Sequence, residues 1–368
     1  MLNNTCCIFN FAPHYNSPIY KKMDKELLCD FYLGDKLPYS IKRMDYNSLK
    51  GFKHELKNIF IIGNFYWQKG AIRILFKPYK NYIFTGEPFC LSTWIILFLA
   101  KFTGKQTYLW THGWYGDETF IKKIIKKLFF KLANHILLYG DYAKGLMLKE
   151  GFDVKSLHVI YNSLDVEEQI SYRDKLIANN IYQNHFNNNN PVLLYIGRIQ
   201  KIKKIDYIIE VLKRLKLKGK FYNLILIGEE VEQTDLNSKI TEYGLENQVW
   251  KYGSCYDERI LSDLIYNADL CVSPGNVGLT AMHTLVYGTP VITHQNFANQ
   301  MPEFEVIIPG KTGDFFIEDS LCDLELKISN WIENYSTQRE NIRINCYQVI
   351  SEKYNPSSQV YLLKTLLT

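Results

Sequence analysis

The chain has 368 residues, 47% of them hydrophobic, and a formal net charge of +5; at this length one core stops growing, so two domains of about 180 residues each are expected. So small a charge, with no basic and aromatic recognition motif, argues against nucleic acid as a partner. The longest clear apolar run, 94–100, is seven residues long against the ~20 needed to span a bilayer, and is predicted as a buried helix.

The chain enters 6–11 like a first strand, with neither a basic leader nor a cleavage site, so a cytoplasmic protein is expected. Eight cysteines without a C-x-x-C pair, several inside apolar strands, are expected as reduced core residues and not as metal ligands. Further strand-like runs at 58–63, 82–85, 106–110, 135–139 and 157–160 alternate with helical stretches, the pattern of a parallel sheet. Pro13, His14 and Tyr15 close the first of these strands, and Thr111, His112, Gly113, Trp114, Tyr115 and Gly116 follow the run 106–110 at the edge where such sheets bind ligands. Residues 120–131 alternate lysine pairs with apolar pairs, so that one helical face is basic and the other apolar. That spacing suits an anionic membrane surface, and it equally suits a packed helix with a solvated basic face. The asparagine-rich segment 179–190 lacks apolar periodicity and is predicted as the linker between domains 1–178 and 191–350.

The run 191–196 is apolar throughout, as in a strand buried on both faces, and leads straight into Gly197 and Arg198. An arginine at the carboxyl edge of a parallel sheet is placed to pair with phosphate oxygens in bidentate fashion, and Lys203 adds a second charge. Lys201 and Lys204 read as a solvated basic turn. Further on, 273–293 reads as strand end, glycine-punctuated loop, short helix, turn and strand. Gly275 and Gly278 admit a ligand close to the backbone, the amides near Gly278 and Leu279 face the same point, and Gly288 with Pro290 stops the helix. Alone, that segment fits an ordinary helix-to-strand turn equally well.

In order and spacing, Gly197, Arg198, Ile199 and Lys203, the strand-and-turn 224–229, the glycine turn at Gly253, Ala268-Asp269 before a strand ending in Pro274, and the turn 309–313 resemble the C-terminal half of the GT-B glycosyltransferases, in particular the large retaining family 4, over roughly 190–320. The resemblance implies an α/β protein of two Rossmann-like, doubly wound domains facing each other across a cleft. The first would bind the acceptor and the second a UDP- or GDP-sugar, with 351–368 packing back on the first. It further implies that Arg198, Lys203 and the loop residues Gly275, Asn276, Gly278 and Leu279 hold the donor diphosphate, without a metal or another cofactor. Gly228, Gly253 and His283 would take the nucleotide and ribose, and Glu303 with Asn276 the donor sugar. His112 would face the transferred sugar, with His14, Trp114 and Tyr115 on the acceptor side, where aromatic rings stack on sugars.

Several positions depart from the family. Its paired glutamates fall on Gly275 and His283, and the glycines usual at two turns are Lys204 and Ser163. The expected function is transfer of a sugar to a glycan or lipid-linked acceptor in cell-surface polysaccharide biosynthesis, with retention, by a cytoplasmic enzyme contacting the inner membrane surface through 120–131. A nucleotide-sugar 2-epimerase of the same fold, or a non-catalytic glycan- or nucleotide-binding descendant, is the alternative.

Overall fold

The structure, a computed structural model, describes residues 4–39 and 41–367. It divides into two compact units, Met1–Asp165 with Lys353–Thr368, and Val166–Glu352.

The first unit is built on an eight-stranded sheet of β1 (Thr5–Phe9), β2 (Asp30–Gly34), β3 (Phe52–Ile62), β4 (Phe65–Lys69), β5 (Asn81–Thr85), β6 (Gln106–Thr111), β7 (His135–Leu138) and β8 (Leu157–Val159), in the order β4-β3-β2-β1-β5-β6-β7-β8. Every pairing is parallel except the β3–β4 hairpin at one edge. Both faces are covered, which is why β1 and β2 are buried along their whole length. On one face Ile96, Leu97, Phe129 and Phe130 share a core; on the other Ile19, Tyr20 and Met23 pack with Val360 and Leu363 of the C-terminal helix Pro356–Leu367. That helix is tied to the sheet by the Tyr108 hydroxyl, which donates to the Leu366 carbonyl at 2.8 Å.

The second unit has a six-stranded, wholly parallel sheet of β9 (Val192–Ile196), β10 (Asn223–Ile227), β11 (Val249–Gly253), β12 (Leu270–Ser273), β13 (Val291–His294) and β14 (Gly313–Phe316). Its order is β11-β10-β9-β12-β13-β14. The strand order reverses between β9 and β12, and ligands of open α/β sheets lie at the carboxyl ends flanking such a reversal.

Two expectations need correction. Residues 179–190 are not a linker: Ile181–Phe186 is a helix that buries Tyr182 and Phe186, and the Tyr182 hydroxyl donates to the Leu264 carbonyl at 2.6 Å. Burying each such ring contributes roughly 2 kcal/mol, and the boundary between the units falls instead at Asp165. The run 94–100 does lie in a helix, Leu91–Ala100, but it is not buried all round, because Ile95 is 40% and Phe98 55% exposed.

Candidate functional site

At the carboxyl edge of the second sheet the strand ends interlock. The Gly197 amide donates to the Ile227 carbonyl and the Gly228 amide to the Gly253 carbonyl, both at 2.9 Å. From Gly197 the chain makes a single 3-10 turn, Lys201–Lys203, that runs against the loop after β12. The Gly275 amide donates to the Lys203 carbonyl at 3.1 Å, and a Cβ at 275 would sit 2.3 Å from the Ile202 carbonyl oxygen and 2.8 Å from the Lys203 Cα. Here glycine is required by the approach of two backbones, so no side chain, including the glutamate that the resemblance implies, fits at this position without moving one of them.

The same crossing aims Lys203 at the loop. Its ammonium donates to the backbone oxygen and to the side-chain oxygen of Asn276, both at 2.6 Å. Burial, and then the like charge of Arg198, push the Lys203 pKa down to about 8, against the opposing pull of the Glu303 carboxylate. Arg198 stands exposed at the strand end, while Glu303 is buried in the 3-10 turn Pro302–Val306. The loop itself is braced by Gln300, whose oxygen accepts from the Val277 amide at 2.9 Å and whose nitrogen donates to Thr293 Oγ1 and the His294 carbonyl. Gly278, at φ +55°, then opens the helix Leu279–Leu285, which Thr280 ties to β9 by donating to the Ile196 carbonyl at 2.9 Å. The structure thus gathers Arg198, Lys203, Gly275, Asn276, Gly278, Leu279 and Glu303 at one edge, with Gly228 and Gly253 on the adjoining strand ends.

His283, one turn into that helix, is paired through Nε2 with Glu258 Oε1 at 2.9 Å. The same oxygen accepts from the Tyr287 hydroxyl at 2.5 Å and from Gln169 Nε2 at 3.0 Å. Burial alone would raise the Glu258 pKa, but the three donors, His283 first, hold it down at about 2. The sequence reading overlooked Glu258; its one signal is the preceding Asp257, whose side chain caps the helix Glu258–Asn267.

In the first unit, a pocket of about 220 Å³ opens at the carboxyl ends of β1, β5 and β6, lined by Asn10, Tyr15, Glu87, Trp110, His112 and Tyr139 among others. Glu87 Oε1 accepts from Asn10 Nδ2 at 2.9 Å and from the Tyr66 hydroxyl at 2.6 Å. His112 lies over Tyr139 with ring centroids 4.8 Å apart. Burial, and secondarily Lys126, depress its pKa to about 4. The buried His112 Nδ1 and Trp110 Nε1 have no hydrogen-bond partner among the described residues. The loop after His112 is set by Glu118, which accepts from the Tyr115 and Gly116 amides at 2.8 and 2.9 Å and from Lys126 at 2.6 Å.

The other acceptor-side residues fare differently. Trp114 is 2% exposed and packs in the core against Phe130 and Phe152, so it offers no ring to a sugar. His14 is exposed, with Nδ1 3.3 Å from the Lys42 carbonyl, and it is the neighbouring Tyr15 that lines the pocket. Tyr115 stacks beyond His112 at 6.1 Å.

Residues 177–349 match the glycosyl transferases group 1 family. An uncharacterized 41.2 kDa protein in the cps region of Klebsiella pneumoniae is 28% identical over 242 residues, 64% of this chain and 62% of that one. An uncharacterized glycosyltransferase of Methanocaldococcus jannaschii is 23% identical over 244 residues, 64% of this chain and 58% of its own length. The chain spans about six tenths of the length of these curated relatives. Among solved structures, Anabaena HepE in complex with UDP is similar with a TM-score of 0.69 at 14% identity, over 98% of this chain and 99% of that one. The apo lipopolysaccharide outer core galactosyltransferase WaaB gives 0.70 at 15% identity over the same shares. The chain therefore has the GT-B fold, and just under half of it, residues 177–349, matches the glycosyl transferases group 1 family.

Proposed function

We propose that the chain is a glycosyltransferase that moves a sugar from a UDP- or GDP-sugar to a glycan or lipid-linked acceptor in cell-surface polysaccharide biosynthesis, with retention of the anomeric configuration. One observation carries this reading: Lys203, depressed by burial and by Arg198, is fixed on Asn276 beside the glycine-opened loop of the second unit. A departing nucleoside diphosphate needs preorganised positive charge as the glycosidic bond breaks, and here two side chains supply it without a metal or other cofactor. The nucleotide would lie against Gly228, Gly253 and His283, and the donor sugar against Asn276 and Glu303. The acceptor would enter the first unit's pocket beside His112, Tyr15 and Tyr115. The group 1 match and the UDP held by Anabaena HepE support the donor class; the cps-region relative and the lipopolysaccharide galactosyltransferase support the pathway class. A lipid-linked acceptor would place the enzyme at the cytoplasmic face of a membrane, with 120–131 as the contact.

The test is thermal stabilisation by a panel of UDP- and GDP-sugars. Stabilisation lost in Arg198→Ala and kept in Lys201→Ala is expected. No stabilisation by any member, or equal loss in both variants, would refute the donor site.

A further inference from the structure

The helix Phe120–Leu132 is turned against its sequence pattern. Lys123 and Lys126 point inward, to Glu150 at 3.1 Å and Glu118 at 2.6 Å, beside the buried Phe129 and Phe130. The apolar stripe therefore faces out. Phe120 is 77%, Ile121 69%, Ile124 44%, Ile125 38% and Leu128 57% exposed, and at 3.6 residues per turn these five fall within an arc of roughly 140°. Lys127 and Lys131 lie at one margin of the arc and Lys122 beyond the other, and none of the three has an ion-pair partner among the described residues. The helix Leu91–Ala100 covers the same face of the sheet, sharing the core of Ile96 and Leu97 with Phe129 and Phe130. It too leaves apolar side chains outside: Ile95, Phe98, and, just past its end, Phe102 at 76% exposure.

We infer that these two outward helix faces form a docking surface for an anionic lipid bilayer, with the apolar stripe seated among the acyl chains and Lys122, Lys127 and Lys131 on the headgroups. Three features select this occupant. The 120–132 helix carries five lysines and no acidic residue, the charge complement of an anionic leaflet. A lysine-edged apolar stripe on a surface helix is the arrangement that lies in a membrane interface. A two-fold contact with a second copy would set this acid-free, lysine-edged helix against an equally basic one. The surface deepens the acceptor side of the proposed function and rests on it only for its purpose. Its test is read without nucleotide sugar, so surface and transfer can fail separately.

The experiment is co-sedimentation of the full chain with vesicles of phosphatidylcholine alone or with a third phosphatidylglycerol, alongside analytical ultracentrifugation without lipid. Binding to the anionic vesicles, weakened by salt and absent from the neutral ones, is expected. Lys122→Gln with Lys127→Gln should weaken it about 25-fold, at about fivefold per lysine. Ile121→Ser with Ile124→Ser and Leu128→Ser should abolish it while circular dichroism shows unchanged melting. The lysine pair, Lys122 exposed and Lys127 half-buried and neither in an ion pair among the described residues, decides the matter if the serine variant misfolds. No binding by the parent chain, undiminished binding by the variants, or a dimer that the serine variant dissociates in place of vesicle binding would each overturn the assignment.

Discussion

Replacing Glu258 by glutamine tests whether one carboxylate organises the buried side of the Leu279–Leu285 helix. Its pKa falls from 4.5 to about 2 on folding, which at 1.36 kcal/mol per unit sets a ceiling near 3 kcal/mol for the charge-dependent stabilisation. The side chain is 22% exposed, little enough that screening removes only part of this. A glutamine keeps one acceptor oxygen for Tyr287 or Gln169, so a loss of about 2 kcal/mol is expected at neutral pH. For a unit of this size that lowers the second unit's melting temperature by about 4–8 °C. The sign follows from linkage: the folded pKa is depressed, so the stabilisation is complete above pH 4.5 and is lost as the pH falls from 4.5 toward 2. Calorimetry of parent and Glu258→Gln between pH 7 and pH 3 should show two melting curves that converge in acid. Equal melting at pH 7, or a gap that persists unchanged to pH 3, would refute the reasoning.

Two further outcomes are expected. Lys203 has a pKa near 8 when no anion is bound, and a bound diphosphate restores its charge, so titration calorimetry should find UDP affinity falling as the pH rises through about 8, up to tenfold per unit; Lys203→Gln should flatten that slope. Gly275→Glu, which supplies the carboxylate that the resemblance implies, should abolish UDP-dependent thermal stabilisation, because its Cβ meets the Ile202 carbonyl at 2.3 Å and overpacking of this kind costs about 1–3 kcal/mol; a variant that binds UDP as the parent does would contradict the backbone crossing.

The second sheet was legible because β9, β10 and β12 are short, nearly unbroken apolar runs, the mark of strands covered on both faces. In the first unit β2 escaped notice, five residues between a helix and a polar loop. Of the β3–β4 hairpin only 58–63 is read as a strand, because the first half of β3 carries lysines and a glutamate and the edge strand β4 is five residues long. The asparagines of 179–190 masked Tyr182, His185 and Phe186, whose spacing puts them on one side of a single helical turn against Trp250. At the site, local pattern placed Arg198, Lys203 and Gly278 correctly at strand and helix ends. It could not foresee that Gly275 faces the chain's own backbone, or that Trp114 turns inward two residues after His112, since both depend on contacts distant in sequence. Lys204 is instructive: it stands where the resemblance implies glycine, yet the backbone has the left-handed geometry, φ +51°, and the side chain is held by Asp319 at 2.5 Å.

The two positions that the resemblance pairs with glutamates differ physically. At 275 the position has closed, since the turn carrying Lys203 occupies the space a side chain would need, and the cation itself is now fixed on Asn276. At 283 the carboxylate comes from a neighbouring element, as Glu258. With Nε2 donating to Glu258, a neutral His283 retains Nδ1 as an acceptor, and Glu258 Oε2 takes no hydrogen bond among the described residues, its three donors all being on Oε1. Two acceptors therefore remain where a single glutamate would present two, which is the number a pair of vicinal hydroxyls requires. The ribose role proposed for His283 thus belongs to a pair drawn from two helices, and its strength depends on the Tyr287 and Gln169 bonds that hold Glu258 in place.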